Sequence, residues 1–94
     1  MEKYLPIGTV VTLIGGEQPL MIYGRMQLEV GTTNIWDYLS CFYPEGNLDE
    51  NHNIFFNHDV IEKVHHMGLQ SAEDEEYQEL MKEELHAYFV GDKE

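Results

Sequence analysis

Two different spacings of apolar residues divide this chain. In its first two thirds, β-branched and aromatic residues form short runs bounded by Gly, Pro and Asn, a pattern typical of strands. In its last third, apolar residues recur at spacings of three and four, which is typical of an amphipathic helix. The sequence therefore predicts an α+β fold, with a small curled antiparallel sheet of about five strands, like an SH3-like barrel, over residues 5–68 and a C-terminal amphipathic helix over residues 71–90.

The runs place the predicted strands at residues 6–14, 19–30, 34–43, 54–56 and 62–68. Gly24 interrupts the second run and predicts a bulge or a sharp bend, which is how small sheets curl. Asn57 can cap one helical turn that begins at His58. The polar stretch over residues 48–53 predicts an exposed loop.

The predicted helix has a clear start and one apolar stripe. Ser71 can act as its N-cap, and residues 73–76 supply carboxylates that favour the positive end of the helix dipole. The stripe can pack on the sheet of this chain or on a partner, and the sequence leaves both options open. Its members are Tyr77, Leu80, Met81, Leu85, Tyr88 and Phe89.

Length and charge limit the classes of function. The 94 residues suit a single domain over 1–94, and 18 acidic residues against 5 basic ones give a formal net charge of -13. Because nucleic acids and anionic membranes attract clusters of Lys and Arg, neither is an expected partner. No signal peptide or membrane-spanning run is evident. The single cysteine, Cys41, cannot form an internal disulfide, so we expect a cytoplasmic protein, with co-export alongside its partner as a further option.

The residues that could carry chemistry do not form a recognisable active site. Five histidines are present, but adjacent His65 and His66 are expected on opposite faces of a strand, and a site from His58, Asp59 and His66 is disfavoured. His66 is instead interpreted as half-buried. A buried Cys41 is interpreted as core, since no base partner or nucleophile elbow is visible. We therefore expect no enzyme activity, no cofactor and no metal site.

Arg25 is the only arginine of this acidic chain. Its guanidinium is expected to find a carboxylate, and the sequence favours an ion pair with Asp37 or Glu45 over a contact with a partner protein. Both uses remain open at this point.

Four short motifs together resemble a known family. They are Leu-Pro-Ile-Gly at residues 5–8, Gly-Arg at 24–25, Tyr-Pro-Glu-Gly at 43–46 and Phe-Asn-His at 56–58. In this order they resemble the small bacterial proteins called domain of unknown function four-one-seven-six, over about residues 4–80. That family is typically encoded in type VII secretion loci of Gram-positive bacteria, near antibacterial toxins that begin with an LXG domain.

The resemblance implies an accessory adaptor or chaperone that binds such a toxin for stabilisation or targeting to export. The alternative is an immunity protein that covers the toxin's catalytic domain. Either role predicts a monomer or a hetero-complex with a toxin encoded nearby. Because aromatic, Met and Arg side chains dominate protein interfaces, the expected partner-binding residues are Arg25, Trp36, Tyr38, Tyr43, Tyr77, Met81, Tyr88 and Phe89.

Overall fold

A computed structural model describes residues 3–91, with the side chains of residues 3–84. The strands are β1 (Val10–Leu13), β2 (Leu20–Leu28), β3 (Ile35–Phe42), β4 (Ile54–Phe56) and β5 (Ile61–His66), and the helix is α1 (Ala72–Gly91). Two short 3-10 turns, Glu50–His52 and His58–Val60, flank β4. The predicted turn at His58 is therefore confirmed, but the Asn57 side chain before it does not cap it. The Asn57 Oδ1 accepts instead from the Asp37 N–H at 3.0 Å.

The strands form one antiparallel sheet in the order β4-β3-β2-β1-β5. The pairing of β2 with β3 shifts register between Ile22 and Gly24, so the bulge predicted at Gly24 is present. Bulges of this kind bend a strand and increase its twist. The expected α+β fold, a small curled sheet followed by a helix, is confirmed.

One face of the sheet carries the apolar core. Cross-strand neighbours share a face of a sheet, and the core residues follow that rule: Val11 pairs with Leu20, and Tyr38 pairs with Phe56. We call this side the core face and the opposite side, which carries Val10, the outer face. The buried cluster consists of Val11, Leu20, Ile22, Tyr38 and Phe56.

The first strand is shorter than predicted. Residues 6–9 were expected in a strand, yet β1 begins at Val10. Pro6 has no backbone N–H to give to a ladder, and Gly8 has a φ of 92°, a left-handed conformation that glycine adopts at little cost. The chain turns there, although the Gly8 N–H still donates to the Ile22 carbonyl at 2.8 Å.

The last strand corrects two expectations about its histidines. The pairing of β5 with β1 shifts register between Val10 and Val11, so His65 and His66 both lie opposite the end of β1. His65 Nε2 lies 3.2 Å from the Thr12 hydroxyl and His66 pairs with Val10, so both histidines lie on one face of the sheet, where both residues line one groove. His66 is also exposed, and its interpretation as half-buried is wrong.

Gly68 marks a close approach between the segment after β5 and the N-terminal segment. Its N–H donates to the Thr9 hydroxyl at 3.0 Å, and a Cβ at this position would overlap the Ile7 carbonyl. The backbone itself would have to move to accept any side chain. Only glycine fits here without distortion.

We expect Gly68→Ala to lower the free energy of unfolding by about 1–3 kcal/mol, because overpacking against backbone displaces both segments. Urea denaturation of the variant and the parent protein measures this. Gly16→Ala is the matched control, since a Cβ at Gly16 would lie 3.5 Å from the Leu13 carbonyl oxygen, an ordinary contact. Equal stability of the two alanine variants would contradict the predicted close approach.

Candidate functional site

Helix α1 docks on the core face through a mainly polar side. Asp74, Gln78 and Met81 lie at spacings of four and three, so they share one side of the helix. Gln78 is 8% exposed and Met81 is 2% exposed. The start of the helix is fixed as predicted, because the Asp74 N–H donates to the Ser71 hydroxyl at 3.1 Å. Among the helix side chains that the structure describes, residues 72–84, those of the first three turns make the contacts with the rest of the domain.

An ion pair joins the helix to the sheet. Arg25 is 8% exposed and pairs in register with Tyr38, which places it on the core face. Its Nη2 lies 2.7 Å from Asp74 Oδ1, and its Nη1 donates to the Leu5 carbonyl at 3.4 Å. The carboxylates expected from the sequence, Asp37 and Glu45, were therefore the wrong partners.

The ion pair alters the proton affinity of Asp74. Burial alone would raise the pKa of this carboxyl, but hydrogen bonds from Arg25 and Gln78 and the positive charge of Arg25 outweigh it. The pKa of Asp74 is therefore held below its usual value. A carboxylate in this state stays ionised at neutral pH, so the contact between helix and sheet carries charge on both sides.

Gln78 joins the helix to the N-terminal segment. Its Oε1 accepts from the Tyr4 N–H at 2.7 Å, and its Nε2 donates to the Tyr4 carbonyl at 2.9 Å. The same Nε2 lies 3.0 Å from Asp74 Oδ2. Both backbone groups of Tyr4 are thus satisfied by one side chain, as buried polar groups require.

Apolar side chains lie on the adjacent side of the helix and are open to solvent. Glu73, Tyr77, Leu80 and Glu84 follow one another at spacings of four, three and four, and we call them the outer helix face. Tyr77 is 52% exposed and Leu80 is 47% exposed, while both glutamates are exposed. Two large apolar side chains bounded by carboxylates are thus open to contact by another protein.

The helical stripe expected from the sequence is split between two environments. Met81 packs on the domain, whereas Tyr77 and Leu80 do not, except that the Tyr77 ring lies 5.6 Å from the Arg25 guanidinium, within cation–π range. Leu85, Tyr88 and Phe89 lie outside the residues whose side chains the structure describes. The sequence did carry a signal for the docked side, namely the equally regular spacing of Asp74, Gln78 and Met81.

The remaining expected partner-binding residues do not form one surface. Tyr38 is fully buried in the core. Trp36 is half-buried, and its Nε1 donates to Glu29 Oε1 at 2.9 Å. Tyr43 is 48% exposed and lines the groove near the two histidines of β5. The structure therefore brings Arg25 and Tyr77 together and places Tyr43 elsewhere.

The Tyr38 hydroxyl is the centre of a small polar cluster. It accepts from the Leu5 N–H at 3.0 Å and lies 3.1 Å from His58 Nδ1. The His58 N–H donates to Asp37 Oδ2 at 2.8 Å. Burial raises the pKa of Tyr38 to about 12. These contacts hold the 3-10 turn and the N-terminal segment against the core, which is a structural role.

The side chains tested for chemistry lie in separate parts of the structure, apart from the neighbouring His65 and His66. In the described part of the chain, no three His, Cys, Asp or Glu side chains come together as a metal-binding group. Cys41 is buried at 3% exposure and is a free thiol. Among residues 3–91, no helix has both the length and the apolar composition needed to cross a membrane.

Comparison with known proteins gives one positive finding. No curated protein and no solved structure matches the chain. A family model described as domain of unknown function (DUF4176) matches residues 4–77, which covers all five strands and the docked start of α1. The chain therefore belongs to the DUF4176 family.

Proposed function

We propose that this protein is an accessory adaptor or chaperone of a type VII secretion system, which binds an LXG-type toxin and stabilises it or targets it to export. The observation that carries the proposal is the outer helix face, with Tyr77 and Leu80 both about half exposed. An adaptor needs an apolar contact that stays open before its partner arrives, and the polar docking of α1 leaves this one open.

Charge supports the same assignment. The exposed residues around the apolar pair are carboxylates, Glu73, Glu76, Glu83 and Glu84, and the whole chain has a formal net charge of -13. A partner with basic residues beside an apolar stripe fits this surface, and the long-range attraction speeds its association. The remaining charge keeps the complex in solution.

The test is binding to the LXG toxin encoded beside this gene. Co-expression and co-purification should recover a stable complex that contains the N-terminal region of the toxin. Leu80→Ala should weaken the complex by about 30-fold, because truncation of a central interface residue costs about 2 kcal/mol. Tyr77→Ala combined with Leu80→Ala should weaken it further. Isothermal titration calorimetry with the purified toxin fragment measures both effects.

The matched control is Leu28→Ala. Leu28 ends β2 and is 54% exposed, so this variant removes the same atoms from a comparably open position. It should bind like the parent protein, and both leucine variants should keep the parent's melting temperature. Equal weakening by Leu28→Ala and Leu80→Ala would refute the role of the outer helix face. Absence of any complex would refute the adaptor itself.

An immunity protein would give a different pattern. It would bind the C-terminal toxic domain and protect cells that produce that domain, whereas an adaptor binds the N-terminal or central targeting region. Separate toxin fragments in the same calorimetric titration distinguish the two roles. Growth of cells that co-express the toxic domain supplies the second readout.

A further inference from the structure

The open side of α1 has the residue spacing of a coiled-coil seam. The outer helix face runs from Glu73 through Tyr77 and Leu80 to Glu84 in steps of four, three and four residues. Two helices that pack along one another place their contacting residues in this alternation, at heptad positions a and d. Tyr77 then lies at position a and Leu80 at position d, with the two glutamates in the layers before and after them.

The two apolar side chains of this seam are presented before a partner arrives. Tyr77 and Leu80 are both about half exposed. The Tyr77 ring lies 5.6 Å from the guanidinium of Arg25, which is fixed in turn by Asp74. A side chain that is already held in place loses less conformational entropy when a partner binds. A second helix can therefore pack on this face in the usual geometry, with a crossing angle of about 20°.

The two flanks of the seam differ in charge and in access. One flank, at position e, holds Asp74 and Met81, which dock on the domain. The other flank, at position g, holds Glu76 and Glu83, which are both exposed. Coiled coils place at positions e and g the charges that select a partner. The basic residue of this part of the helix, Lys82, lies at position f, away from the seam.

We propose that the outer helix face receives an amphipathic helix of another protein, with apolar residues at its own positions a and d and with Lys or Arg beside them. The basic residues of that helix face Glu76 and Glu83 on the open flank, and Glu73 and Glu84 at the two ends of the apolar pair. This inference rests on the proposed function, because it assigns the secondary structure and the charge of the partner at that same surface.

A second copy of α1 is a poor occupant of this face. In an antiparallel pair of copies, position g faces position g, so Glu76 and Glu83 would meet carboxylates. In a parallel pair, position g faces position e, which is docked on the domain. Two chains with a formal charge of -13 each also repel one another. A basic helix is attracted at the same positions.

The probe is an acetylated and amidated peptide of three identical heptads, Lys-Ile-Ala-Ala-Leu-Lys-Gln. It places Ile and Leu at positions a and d, and Lys on both flanks, which serves either direction of the bound helix. Three heptads are used because shorter helices are marginal in water. Titrated into the isotopically labelled full chain, the peptide should give saturable amide shifts over residues 73–84, with a dissociation constant of about 1 mM or lower.

Two charge variants test which side of α1 meets the peptide. Glu76→Lys, at position g, should weaken binding about fivefold by reversing a charge beside the seam. Glu75→Lys makes the same change one residue earlier, at position f, where Glu75 forms an exposed pair with Lys3. This control should bind like the parent protein. Equal weakening by the two variants would overturn the proposal, because attraction to the charge of the whole chain would then explain the binding.

Two further peptides test the pattern and the charge of the partner. A peptide with the same residues in an order without heptads keeps the composition and should bind at least about tenfold more weakly. Replacement of every Lys by Glu should also weaken binding at least about tenfold. The proposal is overturned if the basic heptad peptide gives no shifts on α1, or if either altered peptide binds equally well. Concentration-dependent shifts on α1 without peptide would also overturn it, by showing a second copy as the occupant.

The peptide titration needs no toxin, so its failure differs from a failure of the adaptor. A toxin complex without binding of the basic heptad peptide would overturn this inference and leave the adaptor in place. Binding of that peptide to α1 without a toxin complex would support a basic helix as the occupant and refute the adaptor.

Discussion

Arg25→Met is expected to lower the free energy of unfolding by about 3 kcal/mol, because removal of one member of a buried ion pair leaves the other charge uncompensated. The side chains of Arg25 and Asp74 are 5% and 14% exposed. This is the lower end of the range for breaking a buried ion pair, because Gln78 still donates to Asp74 in the variant. Methionine keeps the apolar stem of the arginine, so the loss reports mainly on charge and hydrogen bonding.

A double-mutant cycle measures the interaction free energy between Arg25 and Asp74. If Arg25 and Asp74 interact as the structure shows, Arg25→Met combined with Asp74→Asn should be less destabilised than the sum of the single variants, by about 1–3 kcal/mol. Lys3→Met serves as the exposed control. Its partner Glu75 lies 3.5 Å away, with side chains 57% and 70% exposed, so its loss should change stability by less than about 0.5 kcal/mol.

The same ion pair predicts a dependence on pH. The pKa of Asp74 in the folded state lies below its ordinary value of 3.8, so the unfolded state binds protons first as the pH falls. The stability that this carboxylate contributes is present above pH 4 and is lost as the pH falls through the folded pKa. The difference in stability between the parent and Asp74→Asn should therefore be greatest near neutral pH and shrink below about pH 4. A difference that is constant from pH 7 to pH 3 would contradict this.

The sheet could be predicted from the sequence because its signals are local. Gly24 predicts the bulge through its own lack of a side chain, and Ser71 predicts the start of α1 by capping it. The ends of the strands were predicted less accurately. Residues 6–9 lie outside β1 because the chain turns at Gly8 before the hydrogen-bonded pairing of the strand begins. Local chemistry thus predicted the elements and their order along the chain, but not the order in which the strands pair, such as β1 with β5.

The contacts between elements could not be predicted in the same way. Arg25 is followed along the chain by nearer carboxylates, and only the packing of α1 on the core face brings Asp74 within reach. The orientation of the helix was likewise not predicted by its apolar residues, because Asp74 and Gln78, beside Met81, bind Arg25 and the Tyr4 backbone. Two specific hydrogen-bonded contacts outweighed the burial of Tyr77 and Leu80, which left the outer helix face open.

Tyr38→Ala is expected to be among the most destabilising single changes in the chain. Tyr38 is fully buried, and its ring packs on Phe56 with a centroid distance of 5.3 Å. Loss of a buried aromatic side chain costs about 3–5 kcal/mol. Tyr38→Phe keeps the ring and removes only the hydroxyl that accepts from the Leu5 N–H, so it should cost about 1–3 kcal/mol. Urea denaturation at pH 7 measures both variants.

High pH isolates the contribution of the hydroxyl. Burial raises the pKa of Tyr38 from 10.0 to about 12, so above pH 10 the unfolded state loses this proton before the folded state does. The stability that Tyr38 contributes is therefore fully present below pH 10 and is lost between pH 10 and about 12. Tyr38→Phe has no proton to lose at this position. The stability advantage of the parent over Tyr38→Phe should shrink across this range, and parallel curves would show that the hydroxyl is not buried as the structure places it.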